Sequence, residues 1–144
     1  MSAAKAFHGA CLCGAVGFEV TPPTRWCLHC HCTLCRKAHG APFVTWFGVG
    51  KDQLRLTQGE ATVRWRDSSD HGRRAFCNTC GTQLFFESSK WPDQIDIVRA
   101  LVDGPIDRAP SAHVYVSTKV DWVDIDDGLE RFPEEYQSRR PEPA

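Results

Sequence analysis

The sequence has no excess of charge of either sign. Seventeen Lys and Arg stand against 18 Asp and Glu, for a formal charge of -1 with neutral His. That balance excludes, as first readings, a strongly basic nucleic-acid module and a polybasic membrane binder. Long apolar runs are missing too. Stretches such as Phe43 to Phe47 fall far short of the roughly 20 residues that cross a bilayer, so no membrane partner is expected. Met1 to Ala10 holds a single Lys and no apolar stretch, which is not the pattern of a secretory signal. Internal repeats, low-complexity segments and long windows of 3.6-residue period are absent. There is one Met. Hydrophobic and charged contents of 42% and 24% nevertheless sit near globular values, which argues against a mainly disordered chain.

What is present in quantity is cysteine, eight residues in 144. A chain of this length fits one domain, taken as 1–144 with a core over about 9–132 and a frayed tail from Ser138 to Ala144. A domain this size buries roughly two thirds of its unfolded surface and does not need disulfides to fold. The expected compartment is a reducing cytoplasm, where thiols serve as metal ligands or catalytic groups.

Gly and Pro punctuate the chain at short intervals, and β-type runs lie between them. Val16, Phe18 and Val20 alternate with Gly17 and Glu19; Ala61, Val63 and Trp65 alternate with Thr62, Arg64 and Arg66. Period-2 alternation puts one set on one strand face. Further strands are expected in Pro42–Val49, Arg73–Phe76, Thr82–Phe86, Gln94–Leu101 and His113–Val116. One short helix is expected over Thr33–His39, closed by Gly40. The fold class is mainly β: a small, mostly antiparallel domain with short turns.

The cysteines form three groups. Cys11-Leu12-Cys13-Gly14 and Cys77-Asn78-Thr79-Cys80-Gly81 each present two thiols across a Gly-closed turn. Two such turns supply four thiolates to one tetrahedral Zn²⁺. Between them, Cys30, Cys32 and Cys35 form C-x-C-x-x-C. Three thiols cap one side of an ion and leave a fourth position open, which separates a catalytic zinc from a structural one. Cys27, His29 and His31 are the competing fourth ligands. If the segment before Cys30 is extended, Cys27 points to the opposite face as a buried small residue. An iron–sulfur cluster is the alternative occupant.

The blocks Gly9-Ala10-Cys11-Leu12-Cys13-Gly14-Ala15-Val16, His29-Cys30-His31-Cys32-Thr33-Leu34-Cys35-Arg36-Lys37-Ala38-His39-Gly40-Ala41 and Phe76-Cys77-Asn78-Thr79-Cys80-Gly81-Thr82 resemble the signatures of a known family. It is the glutathione-dependent formaldehyde-activating enzyme family, which includes centromere protein V-like proteins. The run His113 to Trp122 resembles its closing block. The resemblance covers about Gly9 to Phe132. It implies a β-tent fold with two Zn²⁺ per chain: a structural ion on Cys11, Cys13, Cys77 and Cys80, and a catalytic-type ion on Cys30, Cys32 and Cys35. It also implies a carbon–sulfur lyase reaction, in which a thiol such as glutathione adds to a small aldehyde such as formaldehyde, or the reverse. Cys27 lies outside the family motif.

In such a reaction, Arg36 and Lys37 are candidates to pair with substrate carboxylates, and otherwise are solvated charges. His39 is a candidate acid or base, or a histidine favoured at a helix end. Phe43, Trp46 and Phe47 either wall a pocket or pack the core. Two other functions compete: a non-catalytic zinc module for protein or nucleic acid, and a redox or metal-buffer protein. The acids Asp121, Asp124, Asp126 and Asp127 argue against nucleic acid, and the deprotonated ligands of two zinc ions would bring the loaded chain to about -4. Exposed strand edges would accommodate a homodimer.

Overall fold

The computed structural model describes residues 5–135, so the expected frayed tail over Ser138–Ala144 lies outside the described residues. Twelve strands and one α-helix follow one another: β1 (Phe7–Ala10), β2 (Gly17–Val20), β3 (Trp26–Cys30), α1 (Thr33–His39), β4 (Val44–Gly50), β5 (Leu54–Gln58), β6 (Val63–Asp67), β7 (Gly72–Cys77), β8 (Gln83–Ser88), β9 (Gln94–Val98), β10 (Val102–Asp103), β11 (Ala112–Val114) and β12 (Glu130–Arg131). They build a four-stranded sheet, ordered β10-β1-β2-β5, and an eight-stranded sheet, ordered β12-β11-β3-β4-β9-β8-β7-β6.

The mainly β class is as expected, with two departures. Pairing is mixed, because β11 runs parallel to both β3 and β12. Several strands also stop short of their expected ends. Ala61 and Thr62 lie in a 3₁₀ turn before β6, and Arg99–Leu101 form another after β9. β11 ends because Tyr115 takes a left-handed backbone conformation, φ 57°, which no strand continues. The helix spans the expected residues. Cys32 caps its start by accepting from the Cys35 N–H, and Gly40 ends it in the left-handed region at φ 62°.

The period-2 alternation distributes side chains onto two faces of the large sheet. One face carries Cys27, Phe47, Val49, Ala75, Cys77, Phe85 and Ile97. These meet Phe7, Phe18 and Val20 of the small sheet, and Val16 just before β2, in the main core. Phe18 and Phe85 join the sheets edge to face, with centroids 5.5 Å apart. Leu28, Cys30, Val44, Trp46 and Val98 form a second cluster, which packs beneath α1 through Cys35. The three-thiol group Cys30, Cys32 and Cys35 lies at this second cluster.

Candidate metal centres and active-site cavity

The first thiol group joins the two sheets. Cys11 and Cys13 lie in the turn after β1; Cys77 ends β7 and Cys80 lies in the turn before β8. Gly14 and Gly81 both sit at φ 81°, and their N–H groups donate to the carbonyls of Cys11 and Cys77. A side chain is disfavoured at that φ, which accounts for the glycine after each pair. The Val16 N–H donates to Cys11 Sγ at 3.3 Å, and Cys80 Sγ lies 3.1 Å from Thr82 Oγ1. The Thr82 hydroxyl leads in pulling the Cys80 thiol down to about 5.

All four sulfurs of this group lie within 4.8 Å of one another. Cys11 and Cys13 are 3.6 Å apart, and Cys13 and Cys77 are 3.9 Å apart. Four sulfurs bound at 2.3 Å in a tetrahedron would be roughly 3.8 Å apart. The donor set therefore fits a four-thiolate ion without rearrangement.

The second group sits where β3 meets α1. Cys30 ends the strand, Cys32 caps the helix and Cys35 lies on its first turn, so a single strand-to-helix junction supplies all three. Their sulfurs converge, with Cys30 and Cys35 at 3.6 Å. The Cys35 N–H donates to Cys32 Sγ at 3.2 Å. Hydrogen bonds from Cys30 and Cys35 lead in lowering the Cys32 thiol to about 2. These distances also fit a thiolate-bound ion, with three protein ligands rather than four. Cys27 does not join them. It lies on the other face of β3 in the main core, 1% exposed, and burial pushes its thiol up to about 11.

A cavity of about 340 Å³ opens over the second group. Cys30, Cys32, Cys35, Trp46, Phe86 and Arg74 line its inner part, with Asp70, Lys90 and Glu135 elsewhere on the wall. Arg74 is 5% exposed. It sits opposite Phe86 in register, and its guanidinium lies over that ring, 5.0 Å from the centroid. Its Nη2 donates to Cys35 Sγ at 3.7 Å, while Nε and Nη1 are buried without a hydrogen-bond partner among the described residues. A buried cation with donors to spare costs several kcal/mol unless an anion compensates. Three thiolates around a divalent ion would carry a net charge of about -1, and one of those sulfurs, Cys35 Sγ, accepts from Arg74.

Arg36, Lys37 and His39 do not line this cavity. Arg36 turns back along α1 to Thr33 Oγ1 at 3.4 Å. Lys37 is exposed and borders a second groove with Leu34, Ala38, Arg66 and Arg74. His39 stands edge-on to Trp46, centroids 5.3 Å apart, and burial holds it down to about 4 against the pull of Cys35. Trp46 lines the cavity, whereas Phe47 packs in the core and Phe43 against His29 and His31. Arg74 is the site residue that sequence reasoning missed. The signal available was its place in the expected strand Arg73–Phe76, which runs directly into Cys77.

Comparison with known proteins agrees with this architecture. Residues 6–118 match the family model described as glutathione-dependent formaldehyde-activating enzyme, and the chain belongs to that family. It is 30% identical over 126 residues to a Halomonas elongata protein provisionally named as a glutathione-dependent formaldehyde-activating enzyme, covering 83% of this chain and 80% of the relative. An uncharacterised lyase of Schizosaccharomyces pombe is 28% identical over 121 residues, covering 83% of this chain and 85% of that protein. The crystal structure of a Rhodobacter sphaeroides protein superposes with a TM-score of 0.57 at 20% identity, over 87% of this chain and 98% of the other. That likeness speaks to the fold.

Proposed function

We propose that the protein is a carbon–sulfur lyase that joins an anionic thiol of the glutathione class to a small aldehyde such as formaldehyde, or runs the reverse cleavage. Two zinc ions per chain are part of the reading. Cys11, Cys13, Cys77 and Cys80 would hold the structural one; Cys30, Cys32 and Cys35 would hold the other. An ion on the three-thiol group supplies a Lewis-acid position that keeps an incoming thiol deprotonated near neutral pH.

The chain's own residues do the rest. Arg74 offers its unpaired Nε and Nη1 hydrogens to a substrate carboxylate, a charge-assisted geometry that Arg serves well. Trp46 and Phe86 form an apolar wall that limits water around the reacting sulfur. Lys90, Asp70 and Glu135 give the cavity both signs of charge, which suits a thiol carrying carboxylates and an ammonium group. In the forward direction the thiol loses its proton, sulfur bonds to the carbonyl carbon, and the carbonyl oxygen ends as a hydroxyl. Holding both reactants in one cavity removes most of the entropic cost of their meeting. Thiolate ligands also fit the reducing cytoplasm, which we propose as the compartment.

The observation that carries this reading is a three-thiol junction beside a buried, underpaired Arg74 in one cavity. The test is exchange NMR with ¹³C-formaldehyde and glutathione. The zinc-loaded protein should speed exchange between free aldehyde and the hydroxymethyl thioether, and Cys35→Ser should abolish the acceleration. Exchange at the uncatalysed rate with the intact protein would contradict it.

A further inference from the structure

A third convergence of ligand-type side chains lies outside the thiol groups. Parallel pairing of β11 with β3 sets His113 opposite His29, and their rings are tilted 32° to one another with centroids 4.7 Å apart. Asp127, from the segment leading into β12, brings Oδ2 to 2.8 Å from His113 Nε2. One donor atom from each of His29, His113 and Asp127 lies within 4.8 Å of the other two. His29 and Cys30 are successive strand residues, so they face opposite sides of β3.

Each imidazole also has one nitrogen held by a neighbouring side chain. His29 Nδ1 lies 2.7 Å from the hydroxyl of Thr45, its register partner on β4. His113 Nδ1 lies 2.8 Å from Nε2 of His31, which is fully buried. Such a bond on the second nitrogen is what fixes the tautomer and direction of a metal-ligating histidine. Phe43 packs on both His29 and His31, with centroids 5.1 and 5.0 Å away. The rings are thus braced on one side, while the Asp127 side chain, 42% exposed, gives access from solvent.

We propose that His29, His113 and Asp127 form a third metal site, for a first-row divalent cation of the zinc or nickel type. The ion takes the place of the hydrogen-bonded proton between His113 Nε2 and Asp127, and that proton leaves to solvent. Two neutral imidazoles and one carboxylate leave a net charge of about +1 and open positions for water, a donor set that suits zinc or nickel rather than a soft ion. This site requires no thiol substrate and does not depend on the lyase reading.

The test uses the full chain with both thiol groups loaded with zinc. Wild type, Asp127→Asn and His29→Gln are dialysed against buffered micromolar Zn²⁺, and metal is counted by elemental analysis. Wild type should hold one equivalent more than either variant, with thiol labelling unchanged in all three. Equal metal content across the set overturns the proposal. Asp127→Asn decides the matter if the His29 variant fails to fold, since Asp127 is at the surface. As a second readout, Ni²⁺ added to the zinc-loaded wild type should broaden the ring signals of His29 and His113. Broadening confined to His8 or His71 would overturn the proposal as well.

Discussion

Arg74 and Cys27 are both buried, and opposite physics explains each. Arg74 lies among apolar neighbours beside the three-thiol group, to which it donates one hydrogen bond, and it has hydrogens left for a ligand. A charge-assisted hydrogen bond in such a place contributes about 1.5–3 kcal/mol. Arg74→Gln should therefore raise KM for glutathione by roughly 10–100-fold, with a much smaller effect on kcat and little effect on a neutral small thiol. Equal losses for charged and neutral thiols in steady-state assays would contradict that role. Cys27 is buried, and its burial outweighs the pull of Arg99 and Arg108, so its thiol rises from 9.0 to about 11. The unfolded chain then loses this proton first. Its contribution to stability is complete below pH 9 and is lost as pH rises toward 11. At pH 8 roughly one Cys27 in a thousand is a thiolate, so iodoacetamide should leave it unmodified in the folded protein and reach it only on unfolding. Rapid peptide-mapped labelling of Cys27 would contradict its placement. The cysteine groups were legible because ligand spacing is written locally in the sequence. The role of Arg74 was not, since it depends on which strand lies beside which.

At the scale of the element, the site rests on short pieces with well-defined ends. α1 has only seven residues, fewer than an isolated helix needs. It stands because a thiol caps one end, glycine closes the other, and Cys35 is buried beneath it. Those signals are local, which is why its bounds were readable. The sequence reading foresees β3 only conditionally and β1, β5, β10 and β12 not at all. β1 is broken by histidine and glycine, and β10 and β12 are two residues long, whereas β5 carries a readable alternation of Leu54 and Leu56 with Arg55 and Thr57 that went unused. The parallel docking of β11 was also hidden, since it joins residues more than eighty apart. β4 shows how tightly the second face is assembled. A Cβ at Gly48 would come within 2.4 Å of the Trp26 indole, which is itself 2% exposed and has no room to move. Gly48→Ala should cost about 1–3 kcal/mol through overpacking, measured as a lower midpoint in denaturant. An unchanged midpoint would show that the face is looser than described.

Across the whole molecule, the topology gives the two thiol groups different surroundings. The four-thiol group draws on turns of both sheets and ties them together; the three-thiol group draws on one junction and opens into a cavity. That difference in connectivity matters more to the account than the count of cysteines. Zinc X-ray absorption on the protein loaded with two equivalents tests it most directly. Four and three thiol ligands average 3.5 sulfurs per ion, and saturating glutathione should raise the average to 4 by completing the second set. An average of 4 before glutathione is added, or no change after it, would contradict an open second centre.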